Sequence, residues 1–182
     1  MKLSPKALSA AAKRIKLVLT DVDGVLTAGP IYHYVDPGTE EVVEFKGIHT
    51  HDSIALAWLA ECGFITGVIS GRTSKGIEAR MKMLKVSYIY LHRLDKAAVL
   101  AEILSATGLT AEQTLYMGDD LPDIAVLGRV ALGVAPANAR PEVKAAAGWV
   151  TKARGGEAAF REAAETVLKA QGRWPEILAR YR

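Results

Sequence analysis

Along the chain, short apolar runs without polar alternation are separated by amphipathic stretches, and several of the runs stop at a turn rich in hydroxyls or carboxylates. Runs of this kind read as strands buried on both faces by helices. The first, Ile15-Lys16-Leu17-Val18-Leu19-Thr20, closes abruptly in Asp21-Val22-Asp23-Gly24. Phe64 to Ile69 closes in Ser70-Gly71-Arg72-Thr73, Val86 to Tyr90 in a loop reaching Lys96, and Thr114 to Met117 in Gly118-Asp119-Asp120-Leu121-Pro122-Asp123. Val130 to Val134 and the short Gly148 to Thr151 complete the set. Helical periods fall between them at residues 4–14, from Asp52 to about Glu61, at 74–84, from Lys96 to Thr107, from Pro141 to Ala147 and at 156–171. Ser4 with Pro5 opens the first helix as an N-cap followed by proline, Asp52 is read as the cap of the second, and Gly63 and Gly108 close the second and fourth. Strands alternating with helices predict an α/β fold with a Rossmann-like, doubly wound parallel sheet and right-handed crossovers.

Two segments depart from that rhythm. Pro30 to Val35 and Glu40 to Phe45 are β-rich and joined by Asp36-Pro37-Gly38-Thr39, which predicts a β-hairpin projecting just beyond the acidic strand end. Its tyrosines and valines are too apolar for a free ribbon, and an isolated two-stranded hairpin is barely stable. Packing against another subunit is therefore expected. Residues 172–182 read as a loosely attached basic arm. At 182 residues the chain fits one domain spanning 1–182.

Composition narrows the function classes. Net charge is +3 and the basic residues are spread along the chain, whereas a nucleic-acid surface needs a concentrated patch. The single cysteine, Cys62, excludes a disulfide framework or a thiolate metal cluster and reads as buried and structural. Met1 to Pro5 lacks the apolar core of a signal peptide, and the greasy segment Ile54 to Ile69 is interrupted by Glu61 and Gly63. A cytoplasmic protein with no membrane partner is expected.

Ligands bind open parallel sheets beyond the C-terminal strand ends. There the sequence collects Asp21 with Asp23, then Ser70, Lys96, and finally Asp119, Asp120 and Asp123. Each has an ordinary reading alone: Asp-x-Asp-Gly is a common turn, Ser70-Gly71-Arg72 a helix start with a surface arginine, Lys96 a solvated lysine. Lys96, however, stands against the dipole at the start of a helix, which hints at an anionic partner. Three carboxylates this close repel one another unless a cation sits among them, and Mg²⁺ needs few protein carboxylates. Taken together the groups suit phosphoryl transfer. Asp21 would attack a phosphate and form an aspartyl-phosphate, while Asp23 would protonate the leaving alkoxide and then activate water. Lys96 and Mg²⁺ would supply the positive charge that two anions need between them. No G-x-G-x-x-G follows the first strand, which argues against a dinucleotide-binding module.

The stretch Asp21-Val22-Asp23-Gly24-Val25-Leu26-Thr27, with Ser70-Gly71-Arg72, Lys96 and Gly118-Asp119-Asp120-Leu121-Pro122-Asp123, resembles the haloacid dehalogenase-like phosphatases. Within them the chain is similar to the 3-deoxy-D-manno-octulosonate 8-phosphate phosphatases of lipopolysaccharide precursor synthesis and to the related acylneuraminate-phosphate phosphatases, over residues 14–171. The resemblance implies Asp21 as nucleophile, Asp23 as acid/base, Ser70 and Lys96 holding the phosphoryl group, and Mg²⁺ bound by Asp21, the backbone carbonyl of Asp23, and Asp119. Asp120 and Asp123 would be supporting acids. Gly71, Arg72 and Arg80, with the Arg154-Gly155-Gly156 segment, match positions near a sugar acid. A homotetramer is also implied, its hairpins and tails near neighbouring active sites and the small hairpin standing in place of a cap domain. Acylneuraminate 9-phosphate or another small sugar phosphate is the alternative substrate, and a non-catalytic regulatory relative the alternative class. Two loops differ from the family pattern: Lys46 to Ser53 replaces an Asp-Gly-x-Gly loop, and Leu91-His92-Arg93-Leu94 lacks a glycine. His49 and His51 lie within the first of these and read as surface or capping residues rather than ligands.

Overall fold

The computed structural model describes residues 2–182. Its helices are α1 (Pro5–Ala12), α2 (Thr50–Glu61), α3 (Lys75–Met83), α4 (Lys96–Thr107), α5 (Ile124–Leu127), α6 (Pro141–Ala146), α7 (Ala159–Ala170) and α8 (Trp174–Ala179). The strands are β1 (Leu17–Thr20), β2 (Tyr32–Val35), β3 (Val42–Phe45), β4 (Ile65–Ile69), β5 (Tyr88–Tyr90), β6 (Thr114–Met117), β7 (Leu132–Ala135) and β8 (Trp149–Val150). Six strands form a parallel sheet in the order β5-β4-β1-β6-β7-β8, and β2 with β3 forms the separate antiparallel hairpin. The doubly wound, Rossmann-like architecture follows from β1, whose four residues are all buried. Alternation sends Val18 to one face, against α1, α2 and α7, and Leu17 with Leu19 to the other, against α4, α5 and α6. The chain leaves β1 toward β4 on one side and reaches β6 on the other. The topological switch point, where such sheets bind ligands, therefore lies at the end of β1.

The hairpin stands where the turn sequence placed it. Asp36 accepts from the backbone N–H groups of Gly38 and Thr39, each at 2.9 Å, and fixes the turn. Both of its faces are open: Tyr32, Tyr34 and Phe45 on one, and Val35 with Val42 on the other, are all exposed, between 48% and 68%. Among the described residues nothing covers this apolar ribbon.

Two expectations need correction. Asp52 does not cap α2; the cap is His49, whose Nδ1 accepts from His51 N at 3.1 Å. Asp52 is fully buried in the first turn of α2 and accepts instead from Arg161 N at 2.8 Å, so it caps the first turn of the neighbouring α7. The helix expected at 74–84 is α3, which begins at Lys75 with Ser74 as cap, and Ser70 stands at the end of β4 as expected. The tail is not a loose arm. Ile177 is fully buried, Trp58 Nε1 donates to Tyr181 Oη at 3.0 Å, and Trp174 meets Trp58 edge-on with ring centroids 5.6 Å apart. The Arg161 guanidinium lies 3.9 Å above the Trp58 ring, a cation–π contact that locks α7 to α2 beside the tail. Arg180 pairs with Glu61 at the C-terminal end of α2, which leads into the start of β4. The tail thus seats toward the edge of the sheet opposite the acidic strand ends.

Candidate active site

Asp21 follows β1 directly and its backbone N–H continues the parallel ladder, donating to Met117 O at 2.8 Å. The residue is only 7% exposed; its Oδ1 accepts from Val22 N at 2.6 Å and Oδ2 lies 3.0 Å from Lys96 Nζ. Lys96, the first residue of α4, also reaches Asp123 Oδ1 at 2.6 Å. The anionic partner hinted at by a lysine against the helix dipole is thus this pair of buried carboxylates. Burial works to lower the Lys96 pKa, but Asp21 and Asp123 outweigh it and hold the ammonium above its ordinary value.

Asp123 is fully buried and fully used. Its Oδ1 takes Lys96 and the Tyr116 hydroxyl, and its Oδ2 accepts from Asp119 N at 2.9 Å and Asp120 N at 3.0 Å. Four donors shape the loop after β6 and aim Asp119 at Asp21. Asp119 touches the first loop so closely that a Cβ on Gly24, where φ is +89°, would stand 2.0 Å from its Oδ2. Only glycine fits there. Carboxylate oxygens of Asp21, Asp119 and Asp123 lie within 4.8 Å of one another. Desolvation, and for Asp119 the charges of Asp21 and Asp123, push both Asp21 and Asp119 up to about 7. Asp119 Oδ1 is buried without a hydrogen-bond partner. An orphaned carboxylate oxygen among crowded acids with a single ammonium nearby is the environment a hard divalent cation satisfies. Asp123 has no free lone pair to offer it, so Asp21 and Asp119 remain the carboxylates able to ligate.

The Asp23 carboxylate turns away from this cluster. Its Oδ1 meets Lys46 Nζ at 2.6 Å and its Oδ2 accepts from Ser70 Oγ at 3.4 Å. Ser70, nearly buried, also accepts from Arg72 N at 3.1 Å, which opens the loop after β4. Asp120 is exposed at the cavity edge and caps its own turn through Leu121 N at 2.8 Å. The cavity holds about 170 Å³ and is lined by Asp21, Asp23, Ser70, Gly71, Arg72, Leu94, Lys96, Asp119, Asp120 and Pro122. That space suits a phosphate; it is too small for a whole sugar acid.

Arg80 is not brought into this cavity. It lines a neighbouring hollow of about 340 Å³ with Glu44, Phe45, Lys46, Ile48 and Ser74. Arg72 lines the acid cavity, and its guanidinium is held by Glu44 of the hairpin at 2.9 Å. Gly155 and Gly156 brace the first acidic loop: a Cβ on Gly155 would lie 1.7 Å from Gly24 O, and Gly156 N donates to Val25 O at 2.8 Å. Arg154 itself is solvent-exposed. Lys46, whose side chain is 2% exposed, joins the site without belonging to any of the expected site motifs. Its available signal was the alternation Glu44-Phe45-Lys46, two charges on one side of a strand with an aromatic on the other.

The missing glycine in the loop before Lys96 has a local consequence. His92 adopts φ +58°, the left-handed conformation that glycine takes without strain. His92→Gly should raise stability by about 0.5 kcal/mol, the relieved strain being partly offset by a freer unfolded chain. Urea unfolding checks this, and an unchanged or lowered midpoint would contradict it.

The family model described as haloacid dehalogenase-like hydrolase matches residues 86–156. The 3-deoxy-D-manno-octulosonate 8-phosphate phosphatase KdsC of Haemophilus influenzae is 36% identical over 161 residues, covering 88% of this chain and 87% of that protein. Its counterpart in Escherichia coli K12 is 33% identical over 167 residues, covering 92% and 86%. Among solved structures, the Moraxella catarrhalis 3-deoxy-D-manno-octulosonate 8-phosphate phosphatase, in complex with magnesium ion, phosphate ion and KDO, superposes with a TM-score of 0.93. It is 31% identical and the match covers 98% of this chain and all of that one. A probable YrbI family phosphatase from Pseudomonas syringae gives a TM-score of 0.91 at 40% identity, with 97% of each chain covered. With relatives this similar along nearly its whole length, the chain belongs to the haloacid dehalogenase-like phosphatases.

Proposed function

We propose that the protein hydrolyses 3-deoxy-D-manno-octulosonate 8-phosphate to the free sugar acid and phosphate through an aspartyl-phosphate on Asp21, as a cytoplasmic step of lipopolysaccharide precursor synthesis. The carrying observation is the buried Asp21 carboxylate, 3.0 Å from Lys96 and beside the unpartnered Asp119 oxygen, at the floor of a phosphate-sized cavity. Asp21 attacks phosphorus in line with the departing sugar oxygen. Lys96, fixed by Asp123, neutralises the phosphoryl oxygens, and Ser70 donates to one of them. Asp23 protonates the leaving alkoxide, then takes a proton from the water that cleaves the acyl phosphate. Asp21 and Asp119, with the backbone carbonyl of Asp23, would hold Mg²⁺, which when bound supplies further positive charge to the transferring group.

The remainder of the substrate extends from the cavity past Gly71 and Arg72, where arginine suits a carboxylate. The chain works as a single phosphatase domain, and the exposed hairpin faces support a homotetramer whose neighbours complete the specificity surface and bring Arg80 into use. Among the described residues no helix is long and apolar enough to cross a membrane.

A panel of phosphate esters with Mg²⁺ tests the substrate. The octulosonate ester should show the highest kcat/KM. Equal rates across the panel would remove the sugar-acid assignment, a preference for acylneuraminate 9-phosphate would replace it, and no release from any ester would mark a non-catalytic relative.

A further inference from the structure

Beside the acid cluster lies a buried cation that none of the four acidic and basic motifs contains. Lys46 follows β3, its Nζ 2.6 Å from Asp23 Oδ1 and 3.3 Å from Glu44 Oε1. Glu44 is held in turn through Oε2, by Arg72 at 2.9 Å and with His33 Nε2 at 3.6 Å; His33 is its cross-strand neighbour in the hairpin. The ammonium therefore hydrogen-bonds Asp23 and lies within ion-pair range of Glu44. Burying a lysine is costly unless carboxylates receive it, and here one of the two recipients is the acid that serves the leaving group. Alternation makes this the inner edge of the hairpin: Glu44 and Lys46 face the site, while Phe45 between them is 53% exposed.

We propose that Lys46 is the positioning residue for Asp23. By holding Oδ1 it leaves Oδ2, on the Ser70 side, turned into the cavity where the bridging oxygen of a phosphate ester would stand. The hairpin, through Glu44 and Lys46, thereby orients the proton donor of the reaction. The inference rests on the reading of Asp23 as general acid.

Proton donation matters in proportion to the basicity of the leaving oxygen: an alkoxide needs it, whereas a nitrophenolate leaves without it. The readout is kcat/KM, which covers the steps up to departure of the leaving group and excludes hydrolysis of the acyl phosphate. Lys46→Met should lower kcat/KM about 100-fold for the octulosonate ester or another alkyl phosphate, and less than about threefold for p-nitrophenyl phosphate. Lys46→Arg, which keeps the charge and donors, should recover most of the loss. Lys46→Gln reads the same way if the methionine variant does not fold. Equal losses on both esters, or no loss on either, would overturn the proposal. Asp23→Asn, measured in parallel, separates the two layers. A steep leaving-group dependence there with a flat one in the Lys46 variants overturns the role of Lys46 alone; a flat profile in Asp23→Asn overturns the general-acid reading beneath it.

Discussion

Asp21→Asn should abolish phosphate release, with kcat lowered by at least about 10⁴-fold. An amide of the same shape keeps the acceptor toward Val22 N and leaves Lys96 its stronger partner, Asp123, 2.6 Å away. The fold has no reason to change. What disappears is the proposed nucleophile, because the amide carries no oxygen with the basicity to attack a phosphate ester. Turnover by Asp21→Asn within tenfold of the parent, with circular dichroism unchanged, would remove Asp21 from the mechanism.

Asp119→Asn should inactivate the enzyme and stabilise the protein freed of metal. Burial and neighbouring carboxylates raise Asp119 from 3.8 to about 7, so the folded chain holds this proton more tightly than the unfolded chain does. The sign follows: the penalty is absent below about pH 4, grows as pH rises toward about 7, and is fully present above it. Removing the charge should therefore raise stability at pH 8 by on the order of 2 kcal/mol and leave it nearly unchanged at pH 4. Adding Mg²⁺ should raise the melting temperature of the parent at pH 8 and not that of the variant. Activity with Mg²⁺ should fall at least about 100-fold. Thermal unfolding with EDTA and with Mg²⁺ at the two pH values checks each part. A variant less stable than the metal-free parent at pH 8 would show that the Asp119 charge is satisfied within the protein. Stability held back by crowded acids is the expected signature of a site shaped for a ligand and not for folding.

The acids were legible because their chemistry is local. A buried strand announces itself by an apolar run, and its end by the Asp, Ser or Gly that stops it, so Asp21, Ser70 and Asp119 fall at strand ends that the sheet order then brings side by side. Lys96 was legible as an anomaly against the helix dipole, and Asp123 explains it. What stayed hidden depends on partners distant in the chain. Asp52 looks like a cap of its own helix, but its acceptor is aimed across the interface at Arg161 N. The tail reads as an arm because Gly172 and Pro175 interrupt it; its anchors, Trp58 and the cleft that buries Ile177, lie more than a hundred residues earlier or in the assembled core. Lys46 carries no motif, and only the folded hairpin reveals that it reaches Asp23. The contacts of Asp123 are likewise set by the fold: its four donors tie it to Lys96 and to the loop that carries Asp119.

Covalent capture of the phosphoryl group tests the central claim most directly. Asp23→Asn, mixed with Mg²⁺ and p-nitrophenyl phosphate, can form the acyl phosphate from a leaving group that needs no proton, but is slow to hydrolyse it. Acid quenching followed by peptide mass measurement should find one phosphoryl group on the peptide containing Asp21, and none in the Asp21→Asn, Asp23→Asn double variant. A phosphoryl group on another residue, or steady turnover by the Asp23→Asn variant with no covalent species at any quench time, would contradict the account.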